Sequence, residues 1–465
     1  MKPHPIGALL CAVLFTGCAP HKYRAAPISP AVTAVTLYSH SLDDPNLEAW
    51  MTQHAGFKAP SWALQAWNLE SLTLAAYYFN PDLDVARANA SASDAAITTA
   101  AMKPNPSVSV GPGYQGPNGS QPIAAFDFSL PIETAGKRGY RIANASHLSA
   151  ASRLQLGQTA WVVRSRVRVT LVDYLFAVQA ADLLRRETAL RKEYVRLTEA
   201  RFQAGEVPLP DLTTARIDLT SLRQTLSTAE GQVQTTHAAL AAAIGVPDSA
   251  LAGKTLTLED ASSPPAPSLL PSLTVRKLAL ENRLDVLGAL EKYGAAQSGL
   301  QLEIAKQYPD VNVGPGYSYE EGTNFLSLVV SSVLPLRTHN EGPIAEAEAQ
   351  RKLAGAQLLA AQSTVLADVD HSQAQYAAAF AVLERATTAV SELKEQERSA
   401  VTLLEAGETE RLTVVAAQLL TSVSERARLD ALHQAQLSLG LVEDALQRPL
   451  GNEISPAFPH NAPRP

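Results

Sequence analysis

The sequence predicts a mainly α protein with a small β part, in which long α-helical hairpins and pairs of short strands occur twice. Three observations predict it: a tandem duplication, very long proline-free stretches, and four short segments of alternating apolar and polar residues. Val108-Ser109-Val110-Gly111-Pro112-Gly113-Tyr114 recurs as Val311-Asn312-Val313-Gly314-Pro315-Gly316-Tyr317 with six of seven positions kept. Ala204-Gly205-Glu206 recurs as Ala406-Gly407-Glu408, and Leu130-Pro131-Ile132 as Leu334-Pro335-Leu336. The offsets are 203, 202 and 204 positions. Such a constant spacing means two copies of one unit, at a period too long for an ordinary solenoid.

The chain has 465 residues, of which 46% are apolar, 18% charged and 6% aromatic. Such a chain can bury a large core, and its wealth of alanine and leucine suits helices. A net charge of −7 offers no basic surface for nucleic acid, which excludes that class of partner. No apolar run reaches the ~20 residues of a spanning helix, so a polytopic helical membrane protein is excluded. A transmembrane β-barrel stays open, because alternating strands average out in hydropathy.

The elements follow in order. Lys2 and His4 precede the apolar stretch from Ile6 to Phe15, and Thr16-Gly17-Cys18 comes next. A short basic start, about ten apolar residues and a small-residue cut site describe a secretory signal over residues 1–17. The small pair before Cys18 resembles a bacterial lipobox, which implies cleavage there and a covalent lipid on Cys18. Ala19, in place of aspartate, implies sorting to the outer membrane. The alternative is an ordinary cleaved signal with an incidental cysteine. Both cysteines lie in the first eighteen residues, so no disulfide framework is expected. Residues 18–60 are studded with proline and read as an extended lead. Residues 61–247 form the first repeat and 272–450 the second, with a Ser-, Pro- and Ala-rich connector at 248–271 and a flexible tail at 451–465.

Each repeat reads as one helix, two strands, a very long helix, a sharp break and a second long helix. The first helices fall at about 69–102 and 273–307. The strands fall at about 107–115 and 122–130, and at about 310–320 and 324–334. Phe126, Phe128 and Leu130 oppose Asp127 and Ser129; Leu326, Leu328 and Val330 oppose Ser327 and Ser331. About ten alternating residues suit a strand crossing ~25 Å of hydrocarbon, and they also suit a half-buried soluble hairpin. If these strands cross a membrane, four of them cannot close a barrel, and several chains must pool theirs. Residues 137–204 hold no proline and as a helix reach ~100 Å. After the break, Leu212, Ala215, Leu219, Leu222, Leu226, Ala229, Val233, Thr236 and Leu240 step by three and four, a coiled-coil seam. The matching seam over residues 412–446 is less regular, with Arg426 and His433 interrupting it. Gly205 and Gly407 are placed to end the long helices in the left-handed conformation. Pro208 and Pro210 mark the next start, and Asp211 and Thr409 are candidate caps.

This order of elements resembles the TolC family of outer membrane efflux channels. The match is carried by the duplicated unit, by Asn80-Pro81-Asp82-Leu83 and its counterpart Arg283-Leu284-Asp285-Val286, by Arg201-Phe202-Gln203-Ala204-Gly205-Glu206-Val207-Pro208, and by Arg448-Pro449-Leu450. Pro131-Ile132-Glu133-Thr134-Ala135-Gly136-Lys137-Arg138 resembles the CzcC-like heavy-metal branch. The resemblance implies a homotrimer, with the long hairpins forming a coiled-coil barrel and four strands per chain contributing to a shared trimeric transmembrane β-barrel. It implies a periplasmic adaptor and an inner-membrane pump of the resistance-nodulation-division type as partners, beside outer membrane lipid. The chain itself is then a passive conduit.

No catalytic constellation, phosphate loop or nucleophile elbow stands out, so no enzyme is expected. His147, His237, His339, His371 and His433 show no metal-ligand spacing, so neither a resident metal nor a cofactor is expected beyond the lipid on Cys18. The candidate site is the periplasmic tip at the two breaks: Gly205, Glu206 and Asp211 in one, Glu405, Gly407, Glu408 and Glu410 in the other. Threefold repetition turns lumen-facing carboxylates into rings that attract cations; the alternative is a solvated, charge-rich helix end. Expected cargo is heavy-metal cations. The alternatives are a drug efflux channel, a type I secretion channel or a non-pore envelope scaffold.

Overall fold

The computed structural model describes residues 22–55, 64, 66–115, 121–259, 261–269, 272–320 and 322–450. The expected signal segment, Cys18 and the tail 451–465 lie outside them. The lead is not extended throughout, as its prolines suggested. It holds helix α1 (Pro30–Tyr38), in a unit that ends at His40, and helix α2 (Pro45–Ala55), in the body that begins at Ser41. Each starts on a proline, because the first helical position needs no N–H and favours a fixed φ. No residue of α1 is buried. In the body, Leu47, Trp50 and Met51 of α2 are buried in the main core.

The body opens with the short strand β1 (Ala66–Trp67) and helices α3 (Leu69–Phe79) and α4 (Pro81–Ala100). Strands β2 (Ser107–Gln115) and β3 (Gln121–Ile132) follow. Then come the long helices α5 (Lys137–Gln203) and α6 (Leu209–Ile244). The connector carries β4 (Thr255–Leu256), which pairs in parallel with β1. The second copy repeats the series as α7 (Ser272–Asn282), α8 (Leu284–Ala305), β5 (Val311–Glu320), β6 (Thr323–Ser332), α9 (Glu341–Glu405) and α10 (Arg411–Leu446).

The single first helix expected in each repeat is two helices. Asn80 (ψ 121°) is extended because Pro81 disfavours a helical residue before it. Arg283 (ψ 130°) breaks the second copy at the equivalent place without a proline. Both residues tie the break to the end of the second long helix. Asn80 Nδ2 donates to Ala243 O at 2.9 Å, and Arg283 Nη1 donates to Ala445 O at 3.2 Å. Those helices end on Gly245 (φ 92°) and Gln447 (φ 48°), both left-handed. Val246 N and Arg448 N close the last turn onto Ala241 O and Glu443 O, which satisfies carbonyls the helix leaves open.

Gly245 has a second reason to lack a side chain: a Cβ there lies 2.8 Å from Phe79 O. Gly205 (φ 76°) has open space instead. Gly205→Ala is therefore expected to cost only the left-handed term, about 1–2 kcal/mol. Gly245→Ala is expected to cost more and to lower the melting temperature of helical circular dichroism further. Equal losses would contradict the close approach.

α6 packs along α5, and α10 packs on both α9 and α5. Leu212, Ala215, Leu219, Leu222, Thr236 and Leu240 of the seam are buried, and Leu226, Ala229 and Val233 are half-buried. α10 buries a broader face, from Val414 to Ala445, because it has two partners. That is why its seam reads irregularly: Arg426 meets Glu187 at 3.3 Å and His433 meets Asp173 at 2.8 Å, both on α5.

Candidate functional site

The four strands form one antiparallel sheet in the order β2-β3-β5-β6. Their register sorts side chains by face, since directly paired residues share a face. One face carries the rows Val108–Phe128 and Pro315–Leu328, then Val110–Phe126–Tyr317–Leu326, then Leu130–Val313–Val330. The other carries Ser109–Asp127–Gly316–Ser327, Gly111–Ala125–Ser318–Phe325 and Pro131–Asn312–Ser331. The first face holds no charge in these rows, yet it is open: Leu326 is 84% and Leu328 73% exposed. Every residue of β6 is exposed on this chain. The outer edges of β2 and β6 have no strand partner among the described residues.

The repeated Gly-Pro-Gly has a packing cause in β5. A Cβ on Gly314 falls 1.6 Å from Phe128 O, so β3 and β5 approach only if that residue is glycine. Pro315 donates no N–H, and the β3–β5 pairing skips from Asp127↔Gly316 to Leu130↔Val313 around it.

At the far end of the long helices the two tips repeat one geometry. Gly205 N bonds Phe202 O at 3.0 Å and Glu206 N bonds Arg201 O at 2.9 Å. Gly407 N bonds Leu404 O at 3.0 Å and Glu408 N bonds Leu403 O at 2.9 Å. Gly205 (φ 76°) and Gly407 (φ 74°) supply the left-handed turn. The expected caps differ. Pro208 and Glu410 hold the N-cap positions without side-chain cap bonds, Asp211 sits in the first turn of α6, and Thr409 precedes the cap of α10. A carboxylate in a first helical turn still meets the positive end of the helix dipole.

The structure brings the two tips together through a residue the sequence reading left without a role. Arg201 Nε lies 3.0 Å from Glu206 of its own turn, and Arg201 Nη1 lies 3.4 Å from Glu410 of the other. Glu405, Glu408 and Asp211 are exposed and form no ion pair among the described residues. The partner across the tips is 209 positions away in the chain, so no local spacing announces it.

The histidines are dispersed along the chain. His147 meets Glu291 at 2.7 Å, His237 meets Asp248 at 2.6 Å, and His371 lines a groove of about 540 Å³ between α5, α9 and α10. Asp444 lines the same groove; burial holds its carboxyl above the usual range, although Ser165 and Trp161 donate to it at 2.6 and 2.9 Å. No group of three or more His, Cys, Asp or Glu able to hold a metal is found among the described residues.

Residues 76–246 match the family model described as outer membrane efflux protein. The chain is 25% identical over 342 residues to the cobalt-zinc-cadmium resistance protein CzcC of Cupriavidus metallidurans, covering 73% of this chain and 80% of that one. Among solved structures it is similar to the outer membrane protein VceC of Vibrio cholerae, with a TM-score of 0.66 at 19% identity, over 81% of this chain and 95% of that one. It is also similar to the open state of the Neisseria gonorrhoeae MtrE outer membrane channel, with a TM-score of 0.64 at 17% identity, over 82% and 89% of the two chains. The family match lies in the first repeat, which the second repeat duplicates in structure, and the fold of the chain is that of these solved outer membrane proteins.

Proposed function

We propose that the chain is the outer membrane conduit of a tripartite efflux system and that three copies build one pore. The observation that carries this is the sheet: four strands, one largely apolar and uncharged face open to its surroundings, and two edges with no strand partner among the described residues. Lipid tolerates no open sheet edge, so β6 of one copy must pair with β2 of the next. Three copies give twelve strands, an even number in the range of single-chain barrels. The apolar face then meets lipid, with Tyr114, Tyr317 and Tyr319 near the hairpin ends as an aromatic girdle. The helices α5 and α9, ~100 Å long at 1.5 Å per residue, continue the duct through the periplasm. There an adaptor and a proton-driven inner-membrane pump complete the path. The chain carries no chemistry of its own and acts as a passive, gated tube.

The heavy-metal reading of the cargo is supported by the name of the CzcC relative and by the stretch from Pro131 to Arg138. It also accords with a conduit that need not bind its cargo tightly, since what enters must leave. In the proposed layout residues 1–17 are a signal, the lead from Cys18 is lipid-anchored, and two repeats joined by the connector form the body. A deletion strain is expected to lose tolerance of zinc, cobalt and cadmium and to keep its tolerance of common antibiotics. The reverse profile would make the cargo organic, and an unchanged profile would contradict efflux.

At the tip, Glu206, Asp211, Glu405, Glu408 and Glu410, repeated threefold, would ring the entrance with negative charge, while Gly205 and Gly407 make the turns. Arg201 holds one hairpin to the other through Glu410, while Glu206 of its own turn fixes its guanidinium. Exposed ion pairs of this kind contribute about 0.2–1 kcal/mol each, weak enough for a docked partner to undo. Arg201→Ala is expected to raise single-channel conductance in planar bilayers, and Glu408→Ala with Glu410→Ala to lower the preference for cations. Unchanged conductance and selectivity would dismiss the gate.

A further inference from the structure

We propose that Asp127 sets the charge preference of the β-barrel lumen, as a ring of three carboxylates that draws small hydrated cations through the membrane-spanning part of the pore. This rests on the trimeric reading above and adds a selectivity element inside the membrane, distant from the tip.

Asp127 stands alone in charge. Within the described residues of β2, β3, β5 and β6 the only other ionised side chain is Glu320, at the hairpin end of β5. The register fixes its direction. Its row is Ser109–Asp127–Gly316–Ser327, flanked on the same face by Gly111, Ala125 and Ser318 on one side and by Ser107, Ser129 and Gly314 on the other, with Phe325 and Val329 only at the β6 edge, while the opposite face carries Val, Phe, Tyr and Leu rows. If the apolar face meets lipid, Asp127 must face the lumen; a carboxylate turned to hydrocarbon has no partner there. Among the described residues no cation is within ion-pair distance of it, so its charge is not cancelled within its own chain. The space in front of it is kept by glycine: a Cβ on Gly316 falls 2.8 Å from Asp127 Oδ1 and 2.6 Å from Ser327 Oγ. The row is thus small on both sides of the carboxylate, which stands half-buried on this chain.

Magnitudes decide how strong the effect is. Twelve strands about 4.8 Å apart, tilted ~40°, give a barrel roughly 24 Å across. Each carboxylate then lies about 10 Å from the axis, close to one Debye length at 0.1 M salt and about three at 1 M. The ring therefore biases ions at low salt and is screened at high salt.

The test is the reversal potential of the purified full-length protein in planar bilayers under a potassium chloride gradient, at low and high mean salt. Asp127→Asn keeps shape and removes charge; it is expected to lower the cation-to-anion permeability ratio about two-fold near 0.1 M, with little change at 1 M. Asp127→Lys is expected to push the ratio further in the same direction. Channels of wild-type conductance with a reversal potential unmoved by either variant would overturn this proposal and leave the conduit standing. A wild-type protein that forms no channel would overturn both.

Discussion

Leu328→Lys is expected to abolish assembly in the outer membrane, whereas Ser327→Lys, one residue earlier, leaves assembly intact. The two positions are neighbours in β6, both exposed, and differ only in face. Leu328 belongs with Val108, Phe128 and Pro315 on the apolar side, near the middle of the strand. A lysine at the midplane of a lipid-facing strand costs about 2–4 kcal/mol, which the proposed threefold assembly multiplies to roughly 6–12 kcal/mol. Ser327 pairs with Gly316 beside Asp127, where an ammonium finds water and a carboxylate. Yields of heat-resistant oligomer in outer membrane fractions check both variants. Equal yields would mean that the two faces of the sheet are equivalent.

Glu443→Leu is expected to be the most destabilising change among the helices, at about 3–5 kcal/mol. Glu443 on α10 faces two guanidiniums of α5: Arg164 Nη1 at 3.0 Å and Arg168 Nε at 3.4 Å, with side-chain exposures of 8%, 2% and 6%. Gly440 opens the space for Arg168, since a Cβ there falls 2.3 Å from its Nη1. Arg168 also donates to Gln436 O at 2.8 Å, and Arg164 lies over the Trp161 ring at 4.9 Å. Removing the carboxylate takes away the negative charge that these two buried guanidiniums share. Glu443→Gln keeps one acceptor oxygen for the guanidiniums, gives up the bond from Leu450 N, and loses less. Thermal melts of the purified protein should rank wild type above Glu443→Gln above Glu443→Leu. An unchanged melting temperature for Glu443→Leu would mean that the α5–α10 contact does not hold the two repeats together.

Much of this architecture was legible in the sequence because it depends on periodicity and punctuation. The proline-free rods, the glycines at both tips and the seam from Leu212 to Leu240 are local signals, and each falls where its spacing puts it. The break at Asn80 had a local sign in Pro81, but the equivalent break at Arg283 had none. It is held by contacts with Asp285, Asp368 and Ala445, the last 162 positions away. The lead looked extended because proline usually interrupts helices, yet Pro30 and Pro45 begin them. Two of the proposed features depend on contacts that no local pattern encodes. Arg201 gains its role only when two tips half a chain apart come together. Asp127 gains its role only once the register aligns four strands into two unlike faces.

The shared barrel is tested most directly by native mass spectrometry of the full-length protein released from outer membranes in detergent. Three chains in one assembly are expected, because the free edges of β2 and β6 must close on neighbouring copies. A stable single chain, with both edges uncovered in detergent, would contradict the pore.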